Sequence, residues 1–465
     1  MIRRVFIRAL KFQNYKVFRH RLWILALAIA FLLQPSVALS YEANKNAIVL
    51  LITKGDKGQT LGTGTGFIVK PDGTLITNYH VLVDAVSVEA IFRNGDRVPV
   101  QGVVRVDRSR DFSILKLERD LYSTLEMGDS DQLKVYDYTS ALGYPSQAVQ
   151  MERGGLKGVL LQTHGFILGI HPQALPGFSF LYNTTPFQPG FSGGPLVNKN
   201  NQVVGLATLE GRSINLALPI NTIKPHLNDQ KLLTFKQLHQ ADKISKEALY
   251  YRGNFALYAL GEVDQAIDLY QRALKIDPNF VLARYDLAVA YRGMGEVDKA
   301  IAEYEKALKI NPRFPEALSN LGGQYFRKGN VKQAEAHFRR AIEVYPNFIQ
   351  ALSNLGAALN KLGHSKQALP HLKKALALDP EFAVAYFNLG NAHFGVGNLD
   401  EAEEAFHTAV QKGVDFLSLH WKLYEIHLKK GRRNQAINEL KIILQMDPQH
   451  PDAKKKLKGL QSSQH

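Results

Sequence analysis

The sequence predicts a multidomain chain with two unlike halves, an all-β unit followed by an all-α superhelix. Two observations carry this. Residues 45–225 are short runs rich in Val, Ile, Leu and Thr, such as "NAIVLLI", "GTGFIV" and "FSILKL", split by "PDG", "RNGD" and "KNNQ". That is the pattern of strands joined by turns, and its extent suits a single sandwich or paired barrels. From residue 247 onward, Pro, Gly and Ala recur at a fixed interval of 34 residues, as in Pro278, Pro312, Pro346 and Pro380. A period of that size marks stacked helical repeats.

The N-terminal segment, residues 1–40, carries seven basic residues and no acid, then the apolar run "LWILALAIAFLL", then "QPSVALS". Basic, apolar and small residues in that order describe a secretory signal, cleaved after Ala38 or Ser40. Twelve apolar residues fall short of the roughly 20 that a membrane span needs. An uncleaved anchor is the alternative, because apolar character extends to Leu39. The bulk of the chain is therefore expected outside the cytoplasm, in a periplasm or an equivalent compartment. Membrane association is expected only if the leader stays attached.

Composition removes several classes of chemistry. The chain has no cysteine, which excludes disulfides, thiolate nucleophiles and cysteine-ligated metals. The net charge of +15 divides into +7 in residues 1–40, +1 in residues 41–225 and +7 in the remainder. The last share is mixed charge along helices, a solvated face rather than a basic patch, so nucleic acid is not an expected partner.

Within the β unit, His80 stands at the end of an apolar run, after a strand, a Pro-Asp-Gly turn and a second strand ("GFIVKPDGTLITNYHVL"). Asp111 opens a strand in "RSRDFSILKL", and Ser192 lies between glycines in "PGFSGGPLV". A serine hydroxyl is a poor nucleophile unless an imidazole takes its proton, and the imidazole needs a carboxylate to fix its tautomer. Backbone N–H groups of Gly190 and Ser192, aimed by a tight turn, would serve a tetrahedral oxyanion. The plainer reading is a turn that merely needs glycine. No metal or cofactor is expected. The other histidines of this unit, His164 and His171, lack an accompanying carboxylate cluster and read as structural or exposed.

"GTGTGFIVKPDGTLITNYHVL", "RDFSILKL", "ALGYP" and "PGFSGGPLVN" together resemble the HtrA/Deg branch of the chymotrypsin-like (trypsin-like) serine proteases, over about residues 45 to 225. The resemblance implies a double β-barrel with the site in the cleft and His80, Asp111 and Ser192 as its triad. Phe191 departs from the Asn, Asp or Ser usual at that position. The stretch "SQAVQMERGGLKGVLLQTHG" departs too and suggests a mobile, regulatory loop. The resemblance also places an S1 pocket at Pro186, Phe187, Ile214 and Leu216. With no acid there, the pocket should take small or medium apolar side chains and reject Lys and Arg. The PDZ domain that usually follows the barrel in that branch is not found.

The interval of 34 is that of the tetratricopeptide repeat. Six repeats span residues 247–450, beyond a protease-type domain at 41–225 and a linker at 226–246; residues 451–465 form a capping helix and tail. Each repeat is two amphipathic helices joined at a glycine, and a single unit cannot bury its face, so the units stack into a superhelix. Pro370, inside a second helix, should kink or shorten it. By resemblance the first helices line a peptide groove. Asn320, Asn354 and Asn388 form a ladder of amides there, with Phe326, Phe387, Asn391 and Phe394 adding pockets. The alternative is that asparagine is simply frequent at this position. The combined expectation is an exported serine endopeptidase whose repeats bind substrate, adaptor proteins or copies of itself. An inactive barrel acting with the array as an assembly scaffold is the alternative.

Overall fold

The computed structural model describes residues 45–118, 121–152, 155–172, 179–209 and 215–462. The expected leader lies outside them. Two closed six-stranded barrels come first. In the first, β1 (Ile48–Lys54), β2 (Thr60–Ile68), β3 (Thr74–Thr77), β4 (Ser87–Ile91), β5 (Arg97–Asp107) and β6 (Phe112–Leu117) close in the order β1-β2-β3-β6-β5-β4. Thr77, the last residue of β3, faces Ser113 of β6. That antiparallel register sets the segments carrying His80 and Asp111 at the same end of the barrel.

The second barrel contains β7 (Tyr138–Gly143), β10 (Leu161–Pro172), β11 (Ser179–Asn183), β12 (Pro195–Asn198), β13 (Val203–Leu209) and β14 (Asn215–Pro219). Alternation along these strands divides their apolar residues between two clusters. Ala141, Ile167, Leu181, Leu196, Val204 and Ala217 form one. Phe180, Tyr182, Leu216 and Leu218 join a larger core shared with the first barrel and with the repeats. The stretch expected to be a mobile loop is partly ordered: β8 (Val149–Glu152) and β9 (Gly155–Gly158) pair as a separate hairpin.

The segment expected to be a linker is folded onto the first barrel. Leu233 and Val103 exchange both backbone hydrogen bonds at 2.8 Å. Helix α1 (Phe235–Asp242) follows, opened by a capping box between Thr234 and Gln237. Such a cap satisfies donors that the first turn leaves unpaired.

The array contains six helix pairs among the described residues. The first helix, α2 (Lys246–Asn254), continues into a π turn at Phe255–Leu260 and pairs with α3 (Val263–Ile276). The next pairs are α4 (Val281–Gly293) with α5 (Val297–Ile310), α6 (Pro315–Arg327) with α7 (Val331–Val344), and α8 (Ile349–Lys361) with α9 (Ser365–Leu378). The last are α10 (Ala383–Gly395) with α11 (Leu399–Gln411) and α12 (Leu417–Lys429) with α13 (Arg433–Met446), closed by α14 (Pro451–Ser462). Gly261, Gly295, Gly329, Gly363, Gly397 and Gly431 join the pairs, with φ between 68° and 86°, a left-handed turn that other residues adopt only under strain. Second helices α7, α9 and α11 press a large side chain against a glycine of their partner. Phe338, Leu372 and Phe406 abut Gly322, Gly356 and Gly390, where a methyl group would come within 2.8 Å of them. Pro370 does not shorten its helix, which spans 14 residues like α3, α5, α7 and α13.

The array packs on both barrels. Near its start, Asp242 of α1 is fully buried and accepts from Arg108 Nε at 2.9 Å and Nη2 at 2.8 Å. Arg252 of α2 grips Asp84 with two bonds, 2.8 and 2.6 Å. Farther along, Tyr345 meets Tyr182 of β11 edge to face at 5.6 Å, and Asn347 donates to the Leu168 carbonyl at 3.0 Å.

Inside the array, buried Asp286 accepts from the Tyr250 and Tyr258 hydroxyls, each at 2.8 Å. Burial pushes its carboxyl from 3.8 up to about 6, against those two bonds. The folded chain therefore holds a proton that the unfolded chain has already lost between these values, and stability falls as pH rises from about 4 to 6. The full loss is about 3 kcal/mol. Denaturant midpoints at pH 4 and pH 7 should show that loss in the parent and its near absence in Asp286→Asn; equal slopes in both chains would refute it.

Candidate active site

His80 opens a short helical turn, His80–Leu82, just beyond β3. Asp111 precedes β6 with φ of 57°, a left-handed conformation that aspartate tolerates better than most residues. There Asp111, 3% exposed, grips His80 twice through its carboxylate. Oδ1 accepts from the His80 backbone N–H at 2.9 Å, and Oδ2 lies 2.6 Å from Nδ1 of the ring. Fixing backbone and ring together leaves the imidazole little freedom to change tautomer.

Ser192 arrives from the second barrel, and Thr65 of β2 holds it. Thr65 N–H donates to the Ser192 carbonyl at 2.9 Å, its hydroxyl donates to the Gly190 carbonyl at 2.7 Å, and that hydroxyl accepts from Tyr144 N–H at 2.9 Å. Thr77 Oγ1 in turn donates to the Thr65 carbonyl at 2.7 Å. Asn78, two residues before His80, donates through Nδ2 to the Asp111 carbonyl at 2.7 Å and to Thr208 Oγ1 at 3.0 Å. These buried polar residues tie the barrels across the site. The motif reading passed over all of them, although a threonine inside an apolar β run and an asparagine beside the histidine are the signals that could have exposed them. No hydrogen bond joins Ser192 Oγ to the imidazole among the described residues.

The loop around Ser192 commits three of its backbone donors to nearby carbonyls. Phe191 N–H bonds the Gln188 carbonyl, Gly193 N–H the Ala207 carbonyl and Gly194 N–H the Phe191 carbonyl. The N–H groups of Gly190 and Ser192 take part in none of these bonds. Gly190 has φ of 98°. Phe191, unusual by its residue type, is fully buried in the inner cluster of the second barrel. It lies against Gly143, where a side chain would meet it at 2.8 Å. An apolar plug thus anchors the loop.

Of the expected S1 residues, Pro186 is exposed, and Phe187 packs on the inner cluster of the second barrel. Leu216 packs in the larger core instead, and Ile214 lies outside the described residues. His164 is held by the Tyr138 hydroxyl at 2.5 Å and Ser140 Oγ at 2.9 Å, and burial lowers its pKa. The side chain of His171 lies outside the described residues.

In the array, two of the three ladder asparagines bind neighbouring repeats. Asn320 donates to the Tyr285 hydroxyl at 2.9 Å, and Asn388, buried, donates to Ser353 Oγ at 3.0 Å. These amides staple adjacent first helices. Asn354 and Asn391 are half-buried, and Phe326 packs beside Phe338 and Leu355. Phe387 meets Phe416 edge to face at 5.2 Å. Phe394 carries the ammonium groups of Lys422 at 4.3 Å and Lys429 at 4.8 Å over its ring.

Comparison with known proteins agrees with this division. Residues 64–206 match the family model described as trypsin-like peptidase domain. Models described as TPR repeat or tetratricopeptide repeat match residues 256–295, 290–329, 313–381 and 359–425. The chain is 34% identical over 148 residues to a probable periplasmic serine endoprotease DegP-like of Chlamydia trachomatis, covering 31% of this chain and 28% of that protein. It is 29% identical over 164 residues to the putative serine protease HhoB of Synechocystis sp., covering 35% and 38%. A solved HtrA-type protease with a tripeptide aligns over 41% of this chain and 62% of its own, at 24% identity and a TM-score of 0.35. The chain thus spans about a third of the length of these curated relatives.

The serine loop generates a direct test. A methyl group on Gly193 would lie 2.1 Å from the Thr65 carbonyl oxygen and 2.2 Å from Thr77 Oγ1, at a φ of 85°. Neither neighbour is a flexible side-chain end, so Gly193→Ala should destabilise the chain by about 2–5 kcal/mol through strain and overpacking together. Chemical denaturation of both chains measures it, and a loss below about 0.5 kcal/mol, typical of an unconstrained surface site, would show that the barrels do not close on this loop.

Proposed function

From a chain that joins a trypsin-like peptidase domain similar to HtrA/Deg proteins to tetratricopeptide repeats, we propose a serine endopeptidase that works outside the cytoplasm, with Ser192 as nucleophile, His80 as base and Asp111 as the carboxylate behind it. The observation that carries this reading is the double grip of Asp111 on His80, at 2.9 and 2.6 Å, with Ser192 tied to the neighbouring strand. The imidazole takes the serine proton during attack on a peptide carbonyl and returns it to the leaving amine. The N–H groups of Gly190 and Ser192 receive the oxyanion that forms. Apolar residues around Pro186 and Phe187 favour a small or medium apolar side chain before the scissile bond. The array holds a protein or peptide near the cleft and raises its local concentration there. The names of the DegP-like relatives, which call them periplasmic, and the basic-apolar leader support the location.

A fluorescent fluorophosphonate reacts only with a serine that has both a base and an oxyanion pocket. The full chain should label, and Ser192→Ala should lose labelling and at least about 10⁴-fold of any peptide turnover. Equal labelling of both chains would place the reactive serine elsewhere. Silence from the parent would favour an assembly scaffold built on an inactive barrel.

A further inference from the structure

Helix α2 brings Tyr251 to His80. The two rings lie 5.9 Å apart between centroids, with planes inclined by 30°. Tyr251 also meets Tyr79 edge to face at 5.6 Å, packs against Tyr250 at 5.1 Å, and donates its hydroxyl to the Arg108 carbonyl at 3.3 Å. Tyr79 immediately precedes His80, and Arg108 lies three residues before Asp111. One side chain of the array therefore touches both segments that supply the base and its carboxylate.

We propose that Tyr251 is a positioning residue for His80, so that the first repeat helix forms a wall of the candidate active centre. The proposal rests on the reading of His80 as a base. Asp111 holds the imidazole through Nδ1, and a single hydrogen bond does not by itself stop a ring from swinging about it. An aromatic face laid along the ring restricts the swing and keeps the far nitrogen aimed at the serine. The placement of Tyr251 is itself fixed from two sides. Arg252 grips Asp84 on the far side of the His80 turn, with His239 3.8 Å from the same carboxylate. Buried Asp242 holds Arg108. On the opposite side, Tyr250 is bonded to Asp286 within the array. The short helix α2 thus connects the repeat core to the imidazole through adjacent tyrosines, and the array is built into the site instead of tethered beside it.

Fluorophosphonate labelling of the full chain separates a maximal rate from a half-saturating concentration. In Tyr251→Ala the maximal rate should fall about 10- to 100-fold, the cost of a misplaced catalytic group. Half-saturation should stay within about twofold, since uniform binding is untouched. Tyr251→Phe keeps the ring and should label within about threefold of the parent, because only the hydroxyl contact is lost. An unchanged maximal rate in Tyr251→Ala, or a change confined to half-saturation, overturns the proposal. If Tyr251→Ala does not fold, Tyr251→Leu makes the same comparison with apolar bulk retained. If the parent itself fails to label, the serine reading falls, and the proton between His80 Nδ1 and Asp111 decides by NMR. Faster exchange of that proton in Tyr251→Ala but not in Tyr251→Phe supports positioning; equal exchange in all three chains overturns it.

Discussion

One threonine holds the two barrels in the register that the site requires. Thr65 spends its N–H on the Ser192 carbonyl and its hydroxyl on both the Gly190 carbonyl and the Tyr144 N–H. All three bonds cross from the first barrel to the second. Each buried bond contributes only about 1 kcal/mol net, but breaking one strands a desolvated partner at greater cost. Gly193 is the geometric counterpart, since its missing side chain is what lets the serine loop settle against Thr65 and Thr77. Phe191 completes the arrangement from the other side by anchoring the loop in the second barrel. The serine is thus placed by main-chain contacts and an apolar plug.

The array extends this logic to the histidine. Helices α2 and α1 reach the segments that carry His80 and Asp111, through Arg252 with Asp84 and Asp242 with Arg108. The second pair contains a fully buried carboxylate. Burial raises the Asp242 carboxyl above 3.8, and Arg108 opposes that rise. A buried pair of this kind adds little stability over an apolar substitute, yet leaving one partner alone costs several kcal/mol. It therefore acts as a specific latch, fixing where α1 sits. The contacts of Tyr345 and Asn347 with the second barrel anchor the array at another point. Together they turn a repeat array into a strap joined to both barrels.

Much of this was legible in the sequence, for physical reasons. Strand alternation and turn residues mark where β3 ends and β6 begins, and antiparallel pairing brings residues at those ends together. A repeat period survives as letters because every unit packs against the same neighbours. What was not legible depends on geometry between units. The stapling of Asn320 to Tyr285 and of Asn388 to Ser353 needs the superhelical rise, which no single repeat contains. Pro370 reads as a helix breaker in isolation, yet its helix runs through, held by Ala368 and Leu372 in the packed core. Residues 226–246 look like a linker because they fall between two strong patterns, while their cap and their pairing with Val103 are visible only in place. Tyr251 carries no local mark at all: a tyrosine in a short helix reads as core until its distant neighbour is known.

The central claim is that the array and the segment carrying His80 form a single mechanical unit. Hydrogen exchange of residues 79–84 in the full chain, compared between the parent and Arg252→Ala, tests it most directly. Losing both bonds to Asp84 should raise exchange there several-fold, about 1 kcal/mol of local opening, although the substituted residue lies in a repeat helix. Unchanged exchange in that segment, with increased exchange confined to the array, would contradict the claim and return the repeats to the role of a tether.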